Sequence, residues 1–324
     1  MTKNKILIGS LCAIASQVLF GFSFMFIKES TAVASPWTLL SWRFFVAFLL
    51  FTICIFFGIM KVDFQGKSLW PMVQIALLQP IIYYSGETFG ISLTTTSESG
   101  VILANIPIMT MLLSGIILKE LPTKLQAAGI STTAAGIVII VLVKGFEAKF
   151  NVTGYIMLVI AIISYSLYSV FSQKAAEFSS VEKTYVMILF GTVFFTAVAL
   201  IENATAGTLK EFILLPFNHL EFLISVLYLA VGCSVAAFIF YNAAIASIGS
   251  NRTASYQGIG TIVSLIASIF ILKEPFSFYQ GIGTVLVLIG VYIANANLIW
   301  AGKLTSEKGQ AVQESPCEHA KENF

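Results

Sequence analysis

Residues 118–139 read LKELPTKLQAAGISTTAAGIVI, and residues 272–293 read LKEPFSFYQGIGTVLVLIGVYI. The two stretches lie 154 positions apart and share seven identical residues, where chance in so apolar a composition would give roughly two. The same offset relates Glu98 to Arg252. We infer that one unit of sequence is present twice and that the two copies determine the fold.

The composition is that of a membrane protein. Hydrophobic residues make up 57% of the 324 positions and charged residues only 10%, whereas about a quarter of the residues of a soluble domain are charged. A helix of roughly 20 apolar residues crosses the hydrocarbon core of a bilayer. Such stretches occur at residues 6–27, 36–58, 70–91, 97–118, 124–143, 153–173, 184–202, 220–241, 251–272 and 277–298. The sequence therefore predicts an all-α polytopic membrane protein with ten transmembrane helices, five in each half.

The two halves, residues 1–145 and 150–299, are predicted to be inverted relative to each other. Five is an odd number, so the second half enters the bilayer from the opposite side. With the N-terminus inside, most Lys and Arg residues fall in cytoplasmic segments, in accordance with the positive-inside rule. We therefore expect both termini to be cytoplasmic and the location to be the plasma (inner) membrane. Residues 300–324 are polar and lack apolar periodicity, which predicts a disordered cytoplasmic tail.

Several functional classes are disfavoured by the composition. The net charge is +2 without a run of basic residues, so nucleic acid is not an expected partner. The two histidines and four cysteines form no metal-ligand spacing and no catalytic pairing inside a predicted span. The glycine-rich segments lack the spacing of a phosphate loop, and no filter-like loop of a channel is visible. We expect neither a metal nor a cofactor, and we do not expect an enzyme.

The order and the duplication of several short elements resemble the EamA-type branch of the drug/metabolite transporter superfamily. The elements are Pro36 followed by Arg43-Phe44, Pro107 thirteen residues before Glu120, the Leu-Lys-Glu that ends at Glu120 and again at Glu274, and glycines 129, 136, 283 and 290. One position departs from the duplication, because Thr261 stands where Pro107 would repeat. A proline-dependent bend in the ninth span is therefore left open.

The resemblance implies a ten-helix basket around a central cavity, lined mostly by helices one, three, four, six, eight and nine. It also implies traffic in small metabolites, often amino acids or amphipathic compounds, and commonly outward.

Arg43 and Glu87 are charged side chains well inside predicted spans, where isolated charge is costly. Their predicted depths differ by only about 5 Å at ~1.5 Å per residue, so they are candidates for a charged pair. Two interpretations remain open. The pair is either an ion pair that braces the helices, or a working pair in which Arg43 holds a substrate carboxylate or Glu87 titrates during transport.

Glu98 and Arg252 occupy equivalent helix starts, the acid at the predicted outer mouth and the base at the inner mouth. Capping or topology explains them, since a carboxylate at a helix N-terminus is favoured by the helix dipole. The alternative assigns them to the outer and inner gates, with Arg252 attracting anionic groups of the substrate.

Polar and aromatic residues near the predicted centre of the bilayer are candidates for lining a substrate cavity. They are Gln17, Phe20, Phe24, Gln79, Tyr83, Tyr84, Asn105, Tyr165, Tyr168, Tyr241, Tyr256 and Gln257. Any one of the polar residues could serve only as a contact between helices. Together they suit an amphipathic solute with an apolar body and polar ends, because hydrocarbon offers no partner to their polar atoms.

Pro80 and Pro107 are predicted to bend their helices, since each proline frees a carbonyl one turn back. Such bends suit either curvature or a solute site.

Two pairs of glycines are each seven residues apart, Gly129 with Gly136 and Gly283 with Gly290. This spacing favours close packing of helices, and a homodimer seam is the alternative.

Taken together, the sequence predicts a secondary or passive transporter with a small-molecule solute and the lipid bilayer as its partners. The expected solute is amphipathic or zwitterionic, amino-acid-like or drug-like, and is exported by alternating access of the central cavity. One alternative is a transporter-like receptor or sensor that binds without translocation. Another is a carrier of phosphorylated sugars or nucleotide-sugars, which is disfavoured because phosphate usually meets several Lys or Arg side chains.

Overall fold

The computed structural model describes residues 3–94, 96–103, 105–119, 123–145, 151–273, 278–279, 281–290 and 292–294. Regular structure in these ranges is entirely helical. In chain order the helices are α1 (Lys3–Thr31), α2 (Pro36–Phe56), α3 (Trp70–Ala76), α4 (Tyr83–Leu93), α5 (Thr96–Leu103), α6 (Ile106–Ile117), α7 (Lys124–Gly145), α8 (Val152–Lys174), α9 (Ser180–Ala206), α10 (Leu209–Asn218), α11 (Leu220–Leu227), α12 (Phe238–Ile248), α13 (Ser250–Ser255), α14 (Gln257–Phe270) and α15 (Gly281–Ala294). π-Helical segments at Leu77–Ile82 and Tyr228–Ala237 join α3 to α4 and α11 to α12.

Within the described ranges, six helices are long and apolar enough to cross a membrane. They are Asn4–Thr31, Pro36–Phe56, Val152–Lys174, Ser180–Ala206, Leu220–Ile248 and Ser250–Phe270. Leu220–Ile248 combines α11, the π-helical segment and α12, and Ser250–Phe270 combines α13 and α14. The third and fourth predicted spans are each divided into shorter helices. A prediction of ten spans from hydropathy does not register these divisions, because apolar residues continue through both of them.

Local capping determines where several helices begin. The Ser35 hydroxyl accepts a hydrogen bond from the Thr38 N–H at 3.2 Å, and the Asn151 side chain caps α8 in the same way. Ser179 and Glu182 form a capping box that starts α9 at Ser180, whereas hydropathy places the start of the span at residue 184. The reason for the difference is that a capping box satisfies the first backbone N–H groups of a helix with polar residues.

The duplication is visible in the backbone. Lys119 and Lys273, which are 154 positions apart, both have positive φ angles, 57° and 55°. This left-handed conformation is uncommon for a side chain other than glycine, so its occurrence at two equivalent positions identifies equivalent chain turns. The π-helical segments at Leu77–Ile82 and Tyr228–Ala237 also fall at corresponding places in the two halves.

The first helices of the two halves run in opposite directions. Near the end of α1, the Lys28 ammonium donates to the Thr94 carbonyl at 2.6 Å, and Gly154, at the start of α8, lies against Thr94. Lys5, near the start of α1, lines the same cavity as Ser172, near the end of α8. We call the end that contains Lys5 the lower end and the end that contains Thr94 the upper end. An inverted duplication requires this antiparallel relation.

Helices of the first half pack mainly on helices of the second half. The most extensive contacts join α2 to α9, α4 to α8, and α1 to both α12 and α14. The backbones of α7 and α15 also approach closely, since a Cβ on Gly129 would meet the backbone of Gly290 and Ala294, and one on Gly136 would meet the Gly283 carbonyl. The paired glycines are therefore in contact within one chain, and the homodimer stays a prediction.

Candidate functional site

Seven aromatic rings meet in the interior where the two halves join, and we call them the aromatic cluster. They are Phe20 of α1, Tyr83 and Tyr84 of α4, Tyr165 and Tyr168 of α8, and Phe238 and Tyr241 of α12. Tyr165 lies near the middle, with ring centroids 4.9 Å from Tyr83, 5.1 Å from Tyr241 and 5.6 Å from Tyr168. All members are buried except Phe20, which is half-buried. The cluster thus places side chains from both halves in mutual contact.

Arg43 of α2 lies against this cluster and is only 1% exposed. Its Nε donates to the Ser234 hydroxyl at 2.8 Å, and Nη2 donates to the Tyr84 hydroxyl at 2.6 Å. The guanidinium carbon also stands 4.0 Å from the centroid of the Tyr84 ring, within the range of a cation–π interaction. Polar contacts of this kind reduce the cost of burying the charge.

Glu87 of α4 is also buried, beside Tyr83 of the aromatic cluster. One carboxylate oxygen, Oε1, accepts a hydrogen bond from the Tyr83 hydroxyl at 2.5 Å, and Oε2 has no hydrogen-bond partner in the structure. Arg43 and Glu87 form no salt bridge; the one salt bridge among the described residues joins Lys67 to Glu182. The structure therefore shows no direct ion pair; Arg43 bonds to Tyr84, and Glu87 bonds to the neighbouring Tyr83.

Three buried glutamines carry polar atoms that have no hydrogen-bond partner in the structure. These atoms are both side-chain polar atoms of Gln17, both of Gln79, and Oε1 of Gln257. Gln17 lies at the contact of α1 with α14, where its amide oxygen approaches Gly260. Burying an amide without a partner costs on the order of 1–3 kcal/mol in proteins. These amides are therefore candidates for polar contact.

Three other predicted cavity residues are not members of the aromatic cluster. Phe24 belongs to the same hydrophobic core as six of the seven rings. Tyr256 belongs to a separate group with Ala13 and Ile248. Asn105 is half-buried at the turn before α6, where its side chain donates to the Ile102 carbonyl at 3.0 Å.

The structure describes the side chain of only one of the two gate candidates. Arg252 is half-buried and lines a cavity at the lower end of the bundle. Glu98 lies within α5, but its side chain is outside the described part of the structure. The gate assignments therefore stay predictions.

Both prolines mark interruptions of helices. Gln79, which precedes Pro80, has non-helical angles of φ −138° and ψ 114° within Leu77–Ile82. Pro107 lies in the first turn of α6, so it starts a new helix rather than bending a continuous one. In the second half the helix is also divided, at Tyr256 between α13 and α14, although Thr261 stands where a proline would repeat. A break at this place does not need the proline.

Three residues of the site were not predicted from the sequence: Phe238, Ser234 and Asn242. The side chain of Asn242 bridges two helices, because Oδ1 accepts from the Tyr168 hydroxyl at 2.8 Å and from the Ser172 hydroxyl at 2.9 Å. The predicted eighth span ends at residue 241, whereas the helix continues to Ile248, so Asn242 was assigned to a connection. Phe238 could have been found three residues before Tyr241, on the same helix face.

The chemistry available at the site is that of binding. Aromatic faces and hydroxyl groups surround one guanidinium and one carboxylate, an arrangement that suits a molecule with an apolar body and ends of opposite charge. Within the described residues, no group of three or more His, Cys, Asp or Glu side chains could hold a metal ion.

A helical bundle with membrane-spanning segments, two related halves and a buried polar centre between them defines a duplicated polytopic membrane protein. The EamA-like transporter family matches residues 7–142 and, a second time, residues 152–296. The chain belongs to this family, which confirms the resemblance seen in the sequence.

Relatives of this chain carry the same general description. It is 32% identical over 300 residues to the uncharacterized transporter YcxC of Bacillus subtilis, covering 92% of this chain and 96% of that protein. It is 24% identical to an uncharacterized transporter of Archaeoglobus fulgidus, covering 87% and 95%. A solved crystal structure superposes with a TM-score of 0.66 over 89% of this chain and 98% of its own, at 16% identity, which shows likeness of fold. Family and relatives point to a membrane transporter rather than an enzyme.

Proposed function

We propose that the chain exports a small amphipathic or zwitterionic solute, amino-acid-like or drug-like, by secondary or passive transport. In this proposal ten helices form two inverted repeats, both termini are cytoplasmic, and a central site is opened to one side of the membrane at a time. The observation that carries the proposal is the aromatic cluster, in which side chains from both halves meet beside Arg43 and Glu87.

Contacts between the halves make this cluster suitable for alternating access. Tyr83 and Tyr84 belong to the first half, whereas Tyr165, Tyr168 and Tyr241 belong to the second. A rocking motion of one half against the other would separate these rings on one side and bring them together on the other. The same side chains can therefore bind a solute and close the path behind it.

The charges of the site favour a neutral or zwitterionic solute. Arg43 can hold a carboxylate and Glu87 can face an ammonium group, while the aromatic rings pack against the apolar body. A phosphorylated sugar carries roughly two negative charges and usually meets several cations. The described residues of the cluster offer one guanidinium, so the phosphate carrier is the weaker alternative.

Outward movement is proposed because the family resemblance implies export, and secondary or passive transport because the sequence has no ATP-binding motif. Glu87 is the proposed proton carrier if transport is coupled to protons. Its burial beside Tyr83 supports this assignment.

The proposal is tested by measuring flux in proteoliposomes that contain the purified protein. A panel of amino acids and amphipathic amines is screened for saturable efflux, and the variant Tyr165→Leu is then compared with wild type. Tyr165 contacts three rings of the cluster, so we expect its loss to reduce flux by at least about tenfold.

Tyr185→Leu is the matched control, because Tyr185 packs against Phe48 and Phe51 outside the aromatic cluster. Its flux should stay within about twofold of wild type at equal expression. Binding without flux for every solute of the panel would favour the receptor alternative. Equal losses in both variants would remove the aromatic cluster as the solute site.

A further inference from the structure

A basic cavity of about 680 Å³ lies at the lower end of the bundle, outside the aromatic cluster. It is lined by residues of α1, α8, α9, α12 and α13, the helix ends that meet there. Three of the lining residues are the cations Lys5, Lys183 and Arg252, and no Asp or Glu is among the described residues that line it. Positive charge is therefore concentrated in one partly open cavity.

The neighbouring carboxylate of Glu182 is engaged with other partners. Both of its oxygens accept from the Lys67 ammonium at 2.9 Å, and it also accepts from the backbone N–H groups of Asp63 and Ser179. The negative charge of Glu182 attracts the Lys183 ammonium through space. The carboxylate oxygens of Glu182 are, however, already engaged in hydrogen bonds with Lys67, Asp63 and Ser179. Among the residues that the structure describes, no carboxylate forms a salt bridge with Lys5, Lys183 or Arg252.

Lys183 is the most costly of the three cations to bury, because its side chain is only 2% exposed. Its ammonium donates to the Ser172 carbonyl in the last turn of α8, at 2.6 Å. Favourable contact with a helix C-terminus accounts for that bond. An ammonium carries three N–H donors, however, and the helix contact does not explain why Lys5 and Arg252 face the same space.

Arg252 gives the cavity its strongest anion-binding group. A guanidinium presents a planar fork of N–H donors that matches the oxygens of a carboxylate or a phosphate. Arg252 is half-buried and Lys5 is exposed, so both can adjust to an anion that enters from outside. The buried ammonium of Lys183 then supplies a third positive group at the inner wall.

We infer that this cavity is an anion site that binds the carboxylate or phosphate group of a solute or of a lipid through Arg252, Lys5 and Lys183. The site is connected to the aromatic cluster by Ser172, whose carbonyl contacts Lys183 and whose hydroxyl donates to Asn242, the partner of Tyr168. Anion binding does not depend on the proposed transport, because it is measurable in a protein that moves no solute.

The test uses purified full-length protein and two kinds of probe. Inorganic phosphate and, separately, acetate are titrated by calorimetry at constant ionic strength. In parallel, the protein is placed in nanodiscs of phosphatidylcholine with or without phosphatidylglycerol, and retained lipid is measured by native mass spectrometry. Arg252→Gln is the main variant, and Lys61→Gln is its control, because Lys61 is exposed near the same end but does not line the cavity.

We expect Arg252→Gln to weaken binding of one kind of probe by at least about tenfold and Lys61→Gln to stay within about twofold. Loss of phosphate or acetate binding identifies a soluble anion, and loss of phosphatidylglycerol alone identifies a lipid headgroup. Absence of binding to wild type, or equal losses in both variants, would overturn the inference. Lys183→Met is a second variant; if it does not fold, Lys5→Gln takes its place, since Lys5 is exposed.

Discussion

Arg43→Met is expected to lower the melting temperature of the purified protein by on the order of 10 °C. The variant loses the hydrogen bonds to Ser234 and Tyr84 and the cation over the Tyr84 ring. It also leaves the buried carboxylate of Glu87 without its nearby positive charge. Removing one member of a buried charged arrangement costs about 3–5 kcal/mol. Thermal unfolding in detergent, followed by fluorescence, measures the effect.

Two further variants separate charge from packing. Lys210→Met removes an exposed cation from α10 and should leave the melting temperature within about 2 °C of wild type. The double variant Arg43→Met with Glu87→Gln should recover at least about half of the loss, because no unbalanced charge then remains. A melting temperature of Arg43→Met equal to that of Lys210→Met would contradict the electrostatic role of Arg43.

Glu87→Gln is expected to abolish the pH dependence of solute flux. The carboxylate is hydrogen-bonded to Tyr83 and interacts electrostatically with Arg43, and its own charge acts on Tyr84 and Cys233. Glutamine keeps the size of the side chain and an acceptor for the Tyr83 hydroxyl, but it does not exchange a proton. Efflux from proteoliposomes at a series of external pH values measures the change.

Glu211→Gln is the control for this experiment, because Glu211 is exposed on α10. It should retain the pH profile of wild type. If wild-type flux depends on pH and the profile of Glu87→Gln is the same, the proton is carried by another group. Glu87 would then be only a hydrogen-bond partner of Tyr83.

The duplicated architecture could be predicted from the sequence because its signals are local in each half. Leu118-Lys119-Glu120 and Leu272-Lys273-Glu274 are short runs at a constant offset, and the turns at Lys119 and Lys273 share the same unusual φ. Arg43 and Glu87 could also be singled out, since a charge in an apolar run is conspicuous.

The partners of these charges could not be predicted in the same way. Ser234 follows Arg43 by 191 residues, and a serine in an apolar helix carries no signal of its own. Lys183 lies one residue before the predicted start of a span at 184, because hydropathy does not register the capping box that starts α9. Asn242 lies one residue after the predicted end of a span at 241, although the helix continues to Ile248. The residues that could not be predicted are therefore those whose roles depend on tertiary contacts or on the exact ends of helices.

The central claim is that the aromatic cluster is reached from the two sides of the membrane in turn. Phe20→Cys, at the half-buried edge of the cluster, is made in a background in which the four native cysteines are alanine. Val33→Cys and Gln65→Cys place exposed thiols in connections at the upper and lower ends. A membrane-impermeant thiol reagent is added to one side of sealed proteoliposomes of known orientation.

The account predicts that Phe20→Cys is labelled from both sides, whereas Val33→Cys and Gln65→Cys are each labelled from a single and opposite side. Labelling of Phe20→Cys from one side only, or from neither, while the two end positions react as expected, would contradict alternating access through the aromatic cluster.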